Sequence, residues 1–561
     1  MAIQFTKNGQ GLLIERQFAS AEQSDLASCY AIPKRQGNNS EIYEFDFNRV
    51  TKKALSYSLK SFIPNIKSLP NQEKFFERIK NAYDTAQSDF DTLVKERVWY
   101  YDKLYQHQKD GAFFSCYRKY TLLAFEQGLG KSITSLTKSV INDFQLTIIV
   151  TKAGLKRNWL EEMCYTKNPT DDSELMWGFD PDEVTVIDGV RPKTAVKEKY
   201  VIINYEVVGK YMDALVAKNP QHIIFDECQN IKNKDSQRTK SCTSLVNRTG
   251  AHVSLLSGTP SPNKTIDMFA YLHMVNHPYG RKYASFLKRF TYFTTGKWGV
   301  QIKGGKNIEE LHISMLNFML RKTKKECLDL PDKNYIKINF ELNEYEEEYN
   351  LAFEEYLETL RKKNKEEDTT ALSRLNIITS KCKIKDVLDL AESINEQEVE
   401  TASGSTRKKK VIIFTSYTEP IDMLAKHFGD RCVVIDGRVP SHKRQELVNE
   451  FKNSDKVDFF LGNITAAGTG LNLTCSSDVI LLNFPYTQAE IDQATDRAHR
   501  IGQLSQVNVY YTVCKNSIDE QLYNLVAHKY KQTSLLVDGA EDIITPENVG
   551  KLFIEQFRTA I

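Results

Sequence analysis

TLLAFEQGLGKSITSLTKSVIND (121–143) reads as an apolar strand, a glycine-bearing turn and a helix in unbroken succession. Such a turn aims its backbone N–H groups, and those of the following helix N-terminus, at one point where an anion is stabilised. Gly128 and Gly130 let the backbone close around that point. Lys131 is placed to reach the terminal phosphates of a nucleotide and Ser132 to offer its hydroxyl to Mg²⁺, so the segment predicts bound ATP and its metal. The strict eight-residue consensus for such a loop has glycine at position 125, where this chain has Phe125.

A strand that feeds a helix in this way belongs to a parallel α/β sheet, and the flanking sequence supplies the other strands. TIIV (147–150), VTVID (184–188), VIIN (201–204), HIIFD (222–226) and VSLLS (253–257) complete a first series. VIIFT (411–415), CVVID (432–436), DFFLG (458–462), DVILL (478–482) and VNVYYTV (507–513) make a second. The expected fold is α/β, with two doubly wound parallel-sheet lobes that open and close around a nucleotide.

Two further constellations fit that expectation. HIIFDECQ (222–229) is a strand ending in adjacent acids. Asp226 there suits Mg²⁺, and Glu227 suits the orientation or deprotonation of an attacking water. QATDRAHRIGQ (493–503) places Arg497 and Arg500 three apart, which predicts two guanidinium groups on one helix turn, able to neutralise charge on a γ-phosphate. A solvated helix face is the plainer reading of such a pair, but a second lobe needs a complementary arginine.

From about Ile266 to Leu390 the pattern turns helical and charged, as in ELNEYEEEYNLAFEEYLETLRKKNKEE. KKNKEEDTT (362–370) reads as a helix break and NEQEVETASGSTRKKK (395–410) as an exposed linker, its RKKK run a solvated loop or else a phosphate contact. Residues 1–95 carry no motif and read as a small mixed α/β or mostly helical unit. Within them SLKSFIPNIKSLPNQEKFFERIKNAY (58–83) suits an amphipathic packing surface or a DNA-contacting helix pair.

At 561 residues the chain exceeds one domain, since a domain takes roughly 150. Hydrophobic residues at 41% and charged residues at 26% describe an ordinary globular protein, and a net charge of +2 says nothing about a local basic surface. The ten cysteines form no C-x-x-C pair, so no zinc site and no disulfide framework is expected. MAIQFTKNGQG lacks the apolar stretch of a signal peptide, and no apolar run is long enough to span a membrane; an intracellular protein is expected.

A series of motifs in order carries a resemblance to the Swi/Snf-type ATPases of the second helicase superfamily, from about Leu104 to Gly539. LYQHQKDGA (104–112) resembles their entry motif, whose glutamine, here Gln108, reads adenine. FEQGLGKS resembles D-E-x-G-L-G-K-T, with Phe125 for the first acid. VTKAGLKRNW (150–159) resembles a segment that meets the DNA backbone, which implicates Lys152 and Trp159. VIINYE (201–206) and DECQNIKNKDSQRTK (226–240) follow, the latter with Gln229 where histidine is usual. LLSGTPSPN (255–263) resembles the motif that links ATP state to lobe movement, through Ser257 and Thr259. MLRKTKKECLDLPDK (319–333) resembles the segment that sets the group apart. IIFTSYT (412–418), IDGRVPSHKRQELVNEF (435–451) and NITAAGTGLNLT (463–474) continue it, with Gly468 and Gly470 letting the backbone approach nucleotide and DNA. Gln493 falls in the last motif. WGVQIKGGKNIEELH (298–312) further resembles the annealing-helicase branch.

The resemblance implies two RecA-like lobes at 96–265 and 391–540, helical insertions that brace DNA at 266–390, an accessory unit at 1–95 and a tail at 541–561. It implies a monomeric, ATP- and Mg²⁺-dependent motor that translocates on double-stranded DNA, forked or branched DNA included, without separating strands. A strand-separating helicase and a non-hydrolysing DNA-binding scaffold are the rival readings. The first needs a wedge that the sequence does not show. The second leaves Lys131, Ser132, Asp226, Glu227, Arg497 and Arg500 without purpose.

Overall fold

Both series of apolar runs become sheets, and each sheet is wholly parallel. The computed structural model describes 94–523, apart from 169–170, 188, 190–197, 261–264, 297–298, 332, 363–364, 401–405, 465–470, 484, 486–487, 501 and 504. Before them it describes 2–5, 11–16, 32–36, 41–46, 77, 81, 88 and 90–92. Contacts divide the chain after Cys327 into two compact units.

In the first unit, β1 (Ala2–Phe5), β2 (Gly11–Arg16), β3 (Ile32–Gln36) and β4 (Glu41–Asp46) make an antiparallel sheet in the order β1-β2-β4-β3. The stretch 58–83 lies outside the described residues apart from Glu77 and Asn81, and the tail 541–561 lies wholly outside them.

The large sheet of this unit takes β5 (Tyr120–Phe125), β6 (Thr147–Thr151), β7 (Val184–Val186), β8 (Tyr200–Asn204), β9 (His222–Asp226) and β10 (His252–Leu256). Then come an antiparallel hairpin, β11 (Thr291–Gly296) with β12 (Gly299–Gly305), and a last edge strand, β13 (Met319–Lys322). The sheet order is β13-β5-β10-β9-β6-β8-β7. β6 and β8 are buried at every position, as strands covered on both faces must be. Ile148, Val150, Val201 and Ile203 join one core, while Ile149 and Ile202 are buried on the opposite face. Helices α1 (Gln106–Cys116), α2 (Lys131–Ile141), α3 (Lys156–Cys164) and α4 (Tyr283–Phe290) belong to this unit.

The second unit builds β14 (Lys333–Phe340), β15 (Val411–Thr415), β16 (Cys432–Ile435), β17 (Phe459–Asn463), β18 (Asp478–Leu481) and β19 (Val507–Cys514) into the order β14-β19-β18-β15-β17-β16. Ile412 and Phe414 enter one core and Val411 and Ile413 another, so this sheet too is covered on both faces. Helices α5 (Glu346–Lys362), α6 (Lys365–Asn395) and α7 (Gln488–Thr495) belong here. A fully buried ion pair fixes α6 to the sheet: Lys383 Nζ lies 2.6 Å from Asp519 and also donates to the Leu482 and Thr512 carbonyls at 2.6 and 3.1 Å. Asp519 in turn accepts from Thr379 Oγ1 and the Cys514 N–H, so both buried charges are saturated with partners.

Two expectations need correction. The stretch 266–390 is not one helical segment between lobes, because the unit boundary falls inside it. MLRK forms β13 on the first sheet and KNYIKINF forms β14 on the second, each an edge strand. In β14 the alternate residues Ile336, Ile338 and Phe340 turn inward, a period of two that the surrounding charge conceals, and Lys333 at its start is partly buried as well. Nor is the RKKK run solvated throughout, since of its four residues only Lys408 is exposed. Arg407 donates to the Cys475 carbonyl at 2.8 Å, and buried Lys410 donates to the Ser454 and Val457 carbonyls at 2.7 and 2.5 Å.

The nine described cysteines are free thiols, and no helix among the described residues is long and apolar enough to cross a membrane.

Candidate active site

Strand β5 ends at the turn Glu126–Gly130, and α2 begins at Lys131. Gly128 and Gly130 adopt φ of +84° and +74°, values that a side chain resists. Space closes at Gly130 as well, where a Cβ would come within 2.1 Å of Gln108 Nε2. Gln108 is buried: its Oε1 accepts the Tyr105 N–H at 3.0 Å, and its Nε2 donates to the Leu129 carbonyl at 3.4 Å. His107 Nε2 meets the same carbonyl at 2.9 Å, so α1 braces the loop from outside. Lys131 Nζ donates to the Phe125 and Glu126 carbonyls at 3.0 and 3.3 Å, which holds the ammonium across the turn.

Phe125, standing where the resemblance has an acid, is fully buried with its ring edge toward His107. The loop's remaining acid, Glu126, accepts from Arg321 Nη2 at 3.1 Å and from the Lys324 N–H at 2.8 Å. Arg321 Nη1 also donates to the carbonyls of Ala124 and Gly258, at 3.0 and 3.3 Å. One guanidinium from β13 therefore ties the glycine turn to the SGTP segment, a role that sequence spacing does not reveal.

Asp226 ends β9, where its Oδ2 accepts from Trp159 Nε1 at 2.8 Å and Thr151 Oγ1 at 2.9 Å. Burial, and then the charge of Glu227, push its carboxyl up to about 6, against the pull of those two hydrogen bonds and of Lys131. Trp159, expected on a DNA-facing surface, is buried with its indole N–H turned to this carboxylate. Lys152 is half-buried just before the turn Ala153–Leu155.

Glu227 has φ of +51°, a left-handed backbone that costs a non-glycine residue about 1–3 kcal/mol. Its carboxylate accepts from Gln229 Nε2 at 2.5 Å, and Gln229 Oε1 accepts from Ser257 Oγ at 2.8 Å. Ser257 Oγ then accepts the Thr259 N–H at 3.0 Å. Glu227, Gln229, Ser257 and Thr259 thus form one hydrogen-bonded chain from the acid pair at the end of β9 to the SGTP loop. Gln229→Ala cuts it, and the expected result is about a tenfold loss of ATP turnover at unchanged nucleotide affinity, the size of one charge-assisted hydrogen bond. Gln229→His, which can still bridge, should recover part of it. Steady-state phosphate release beside nucleotide titration checks both.

The donor set fits Mg²⁺. A carboxylate whose charge is disfavoured by burial and by an adjacent acid is relieved by a divalent cation, and the half-exposed Ser132 at the start of α2 offers a second oxygen. Bound there, the ion would neutralise charge on the phosphates.

In the second unit α7 stops at Thr495, so Arg497 and Arg500 lie in the turns that follow and not on a helix turn. Contacts distant in sequence hold these turns: Asp496 pairs with Lys333 at 2.6 Å, and His499 Nε2 meets the Pro331 carbonyl at 2.8 Å. Arg497 is 3% exposed, its Nε bonded to the Gln493 carbonyl, while half-exposed Arg500 bonds the Asp496 carbonyl, both at 3.1 Å. Gln493 Nε2 is buried with no hydrogen-bond partner among the described residues. Gly468 and Gly470 lie outside the described residues.

Comparison with known proteins accounts for this order of parts. Residues 105–390 match the SNF2-related domain and 391–502 the helicase conserved C-terminal domain. The chain is 28% identical over 456 residues to a Caenorhabditis elegans homolog of SWI/SNF-related matrix-associated actin-dependent regulator of chromatin subfamily A-like protein 1, covering 79% of this chain and 63% of that protein. It is 26% identical over 472 residues to the human DNA annealing helicase and endonuclease ZRANB3, covering 80% of this chain and 42% of that one. Among solved structures, the Sulfolobus solfataricus SWI2/SNF2 ATPase core in complex with dsDNA matches 78% of this chain and 93% of its own, with 22% identity and a TM-score of 0.36. The chain therefore spans less than two thirds of the length of both curated relatives. With the first of its two matched domains alone taking in half of its length, the chain belongs to the SNF2-related family.

Proposed function

We propose that this chain is a DNA-dependent ATPase that translocates along double-stranded DNA and remodels protein–DNA complexes or branched DNA without net strand separation. The observation that carries the reading is the bonded chain from Glu227 through Gln229 to Ser257 and Thr259, which joins the proposed hydrolytic acid to the separate SGTP loop. A site built for hydrolysis alone has no use for that connection. Family membership supports the same reading.

In this account the turn 126–130 and Lys131 hold the ATP phosphates, Ser132 and Asp226 hold Mg²⁺, and Glu227 positions the attacking water. Arg500 and Arg497 supply positive charge to the γ-phosphate during turnover. Contact with the DNA is mainly to the phosphate backbone, so affinity falls steeply with salt and carries little sequence preference.

The test is a pair of displacement assays. ATP should drive release of a triplex-forming third strand from duplex DNA, and blunt duplex should stimulate phosphate release. A duplex with a single-stranded tail should stay annealed. Robust unwinding of that tailed duplex, with single-stranded DNA the better activator, would make the protein a strand-separating helicase. Absence of any hydrolysis would leave the scaffold reading.

A further inference from the structure

Among its described residues the hairpin of β11 and β12 is largely uncovered. In β11 only Thr291 is buried, and Tyr292, Phe293 and Val300 are 52%, 38% and 45% exposed. Cross-strand partners Phe293 with Ile302 and Thr295 with Val300 place an apolar strip on one side, while Lys303 is the residue skipped where the register shifts. A bare two-stranded ribbon is marginal in water, and an exposed apolar strip marks a contact surface. This one is held at its root. Phe286, Leu287 and Phe290 of α4 are buried in the first unit, the Lys306 N–H bonds the Phe290 carbonyl at 2.9 Å, and a Cβ on Gly305 would come within 2.2 Å of Thr265 Oγ1. At Gly296, the other end of β11, an added Cβ would meet no described atom within 4 Å beyond its chain neighbours.

The charge of the segment says what would cover it. Between Asp267 and Glu309 the sequence holds seven lysines and arginines and no carboxylate, in a chain whose acids and bases otherwise nearly balance. Arg289 is committed to Glu310 at 2.7 Å, but neither Lys303 nor Lys306 pairs with a described carboxylate, and Lys306 Nζ lies 5.5 Å from the Tyr292 ring centre. Lysines beside exposed aromatic rings form a surface for phosphates and base faces together. Within an intact duplex the base faces are hidden in the stack, so Tyr292 and Phe293 find partners only where bases are unpaired.

We infer that this hairpin binds the branch of forked DNA, Tyr292 and Phe293 stacking on unpaired bases while Lys303 and Lys306 hold the adjoining phosphates. The inference rests on the DNA-motor reading and gives it a substrate. The experiment compares the full chain with the Tyr292→Ala/Phe293→Ala variant on blunt duplex and on a fork with single-stranded arms, measuring ATP turnover and affinity. Both side chains are exposed, so the melting temperature should not move. The parent should turn over faster on the fork, and in the variant the ratio of fork to blunt turnover should fall to about one. Fork affinity should drop at least about fivefold, the lower end for one stacked base. Photocrosslinking from 5-iododeoxyuridine at the branch should capture Tyr292 or Phe293.

An unchanged ratio, or crosslinks only elsewhere in the chain, overturns the inference. So does an equal loss on both substrates, which would make the hairpin a general duplex contact. Dimerisation of the parent by sedimentation, lost in the variant at constant fork preference, would instead make the strip an interface between copies of the chain. Failure of blunt duplex to stimulate the parent at all would refute the motor reading itself, a result distinct from each of these.

Discussion

Lys131→Ala and Glu227→Gln are each expected to lower DNA-stimulated ATP turnover by about 10²–10³-fold or more, the scale on which preorganised charge acts in a closed site, while duplex binding survives. The two variants fail for different reasons. Lys131→Ala removes the ammonium that the Phe125 and Glu126 carbonyls hold across the loop, so nucleotide affinity should fall with turnover. Glu227→Gln keeps the shape of the side chain, and its amide oxygen can still accept from Gln229, so the connection to Ser257 persists. That variant should bind ATP well and hydrolyse it poorly. Phosphate release, nucleotide titration and duplex binding by fluorescence anisotropy separate the cases. Near-parental hydrolysis by either protein would sink the assignment of the site.

Arg500→Ala carries the other large effect, a loss of about 10³–10⁵ in turnover if its guanidinium serves the γ-phosphate as arginine fingers do. Nucleotide affinity should change far less, because the phosphate loop makes most of the ground-state contacts. The structure explains why Arg500 is the residue to alter first. Arg497 is buried with its Nε bonded to the Gln493 carbonyl at 3.1 Å, so truncating its side chain would disturb the packing of the second unit as well as the chemistry. Half-exposed Arg500 can be truncated more cleanly. An Arg500→Ala protein with parental kcat on duplex DNA would place the finger elsewhere, Arg497 being the next to test.

Much of the site was legible because phosphate chemistry constrains local sequence. A strand, two glycines, a lysine and a hydroxyl must follow one another closely to wrap a phosphate, and two acids at the end of β9 must be adjacent in the chain to act together. What escaped was whatever depends on side chains distant in sequence. Arg321 bonds Glu126 and the Gly258 carbonyl from an edge strand hidden in a charged stretch. The sequence implicates Trp159 in coupling or DNA contact, and only the structure shows its indole hydrogen-bonded to Asp226. Two arginines three apart looked helical, yet Lys333 and Pro331, from the start of the second unit, draw the chain into turns.

The sequence by itself determined two parallel sheets, because strands buried on both faces must be apolar throughout and alternate with helices. It also determined the loop around Lys131 and the acid pair at 226–227, since each needs only neighbours along the chain. Tertiary structure alone decided how those parts are joined: which residue bridges Glu227 to Ser257, which guanidinium pins the phosphate loop, where the second unit begins, and that a basic, aromatic hairpin stands uncovered. Hydrogen bonds and burial are set by distance in space. A linear pattern records that distance only where the partners lie within a few residues of each other.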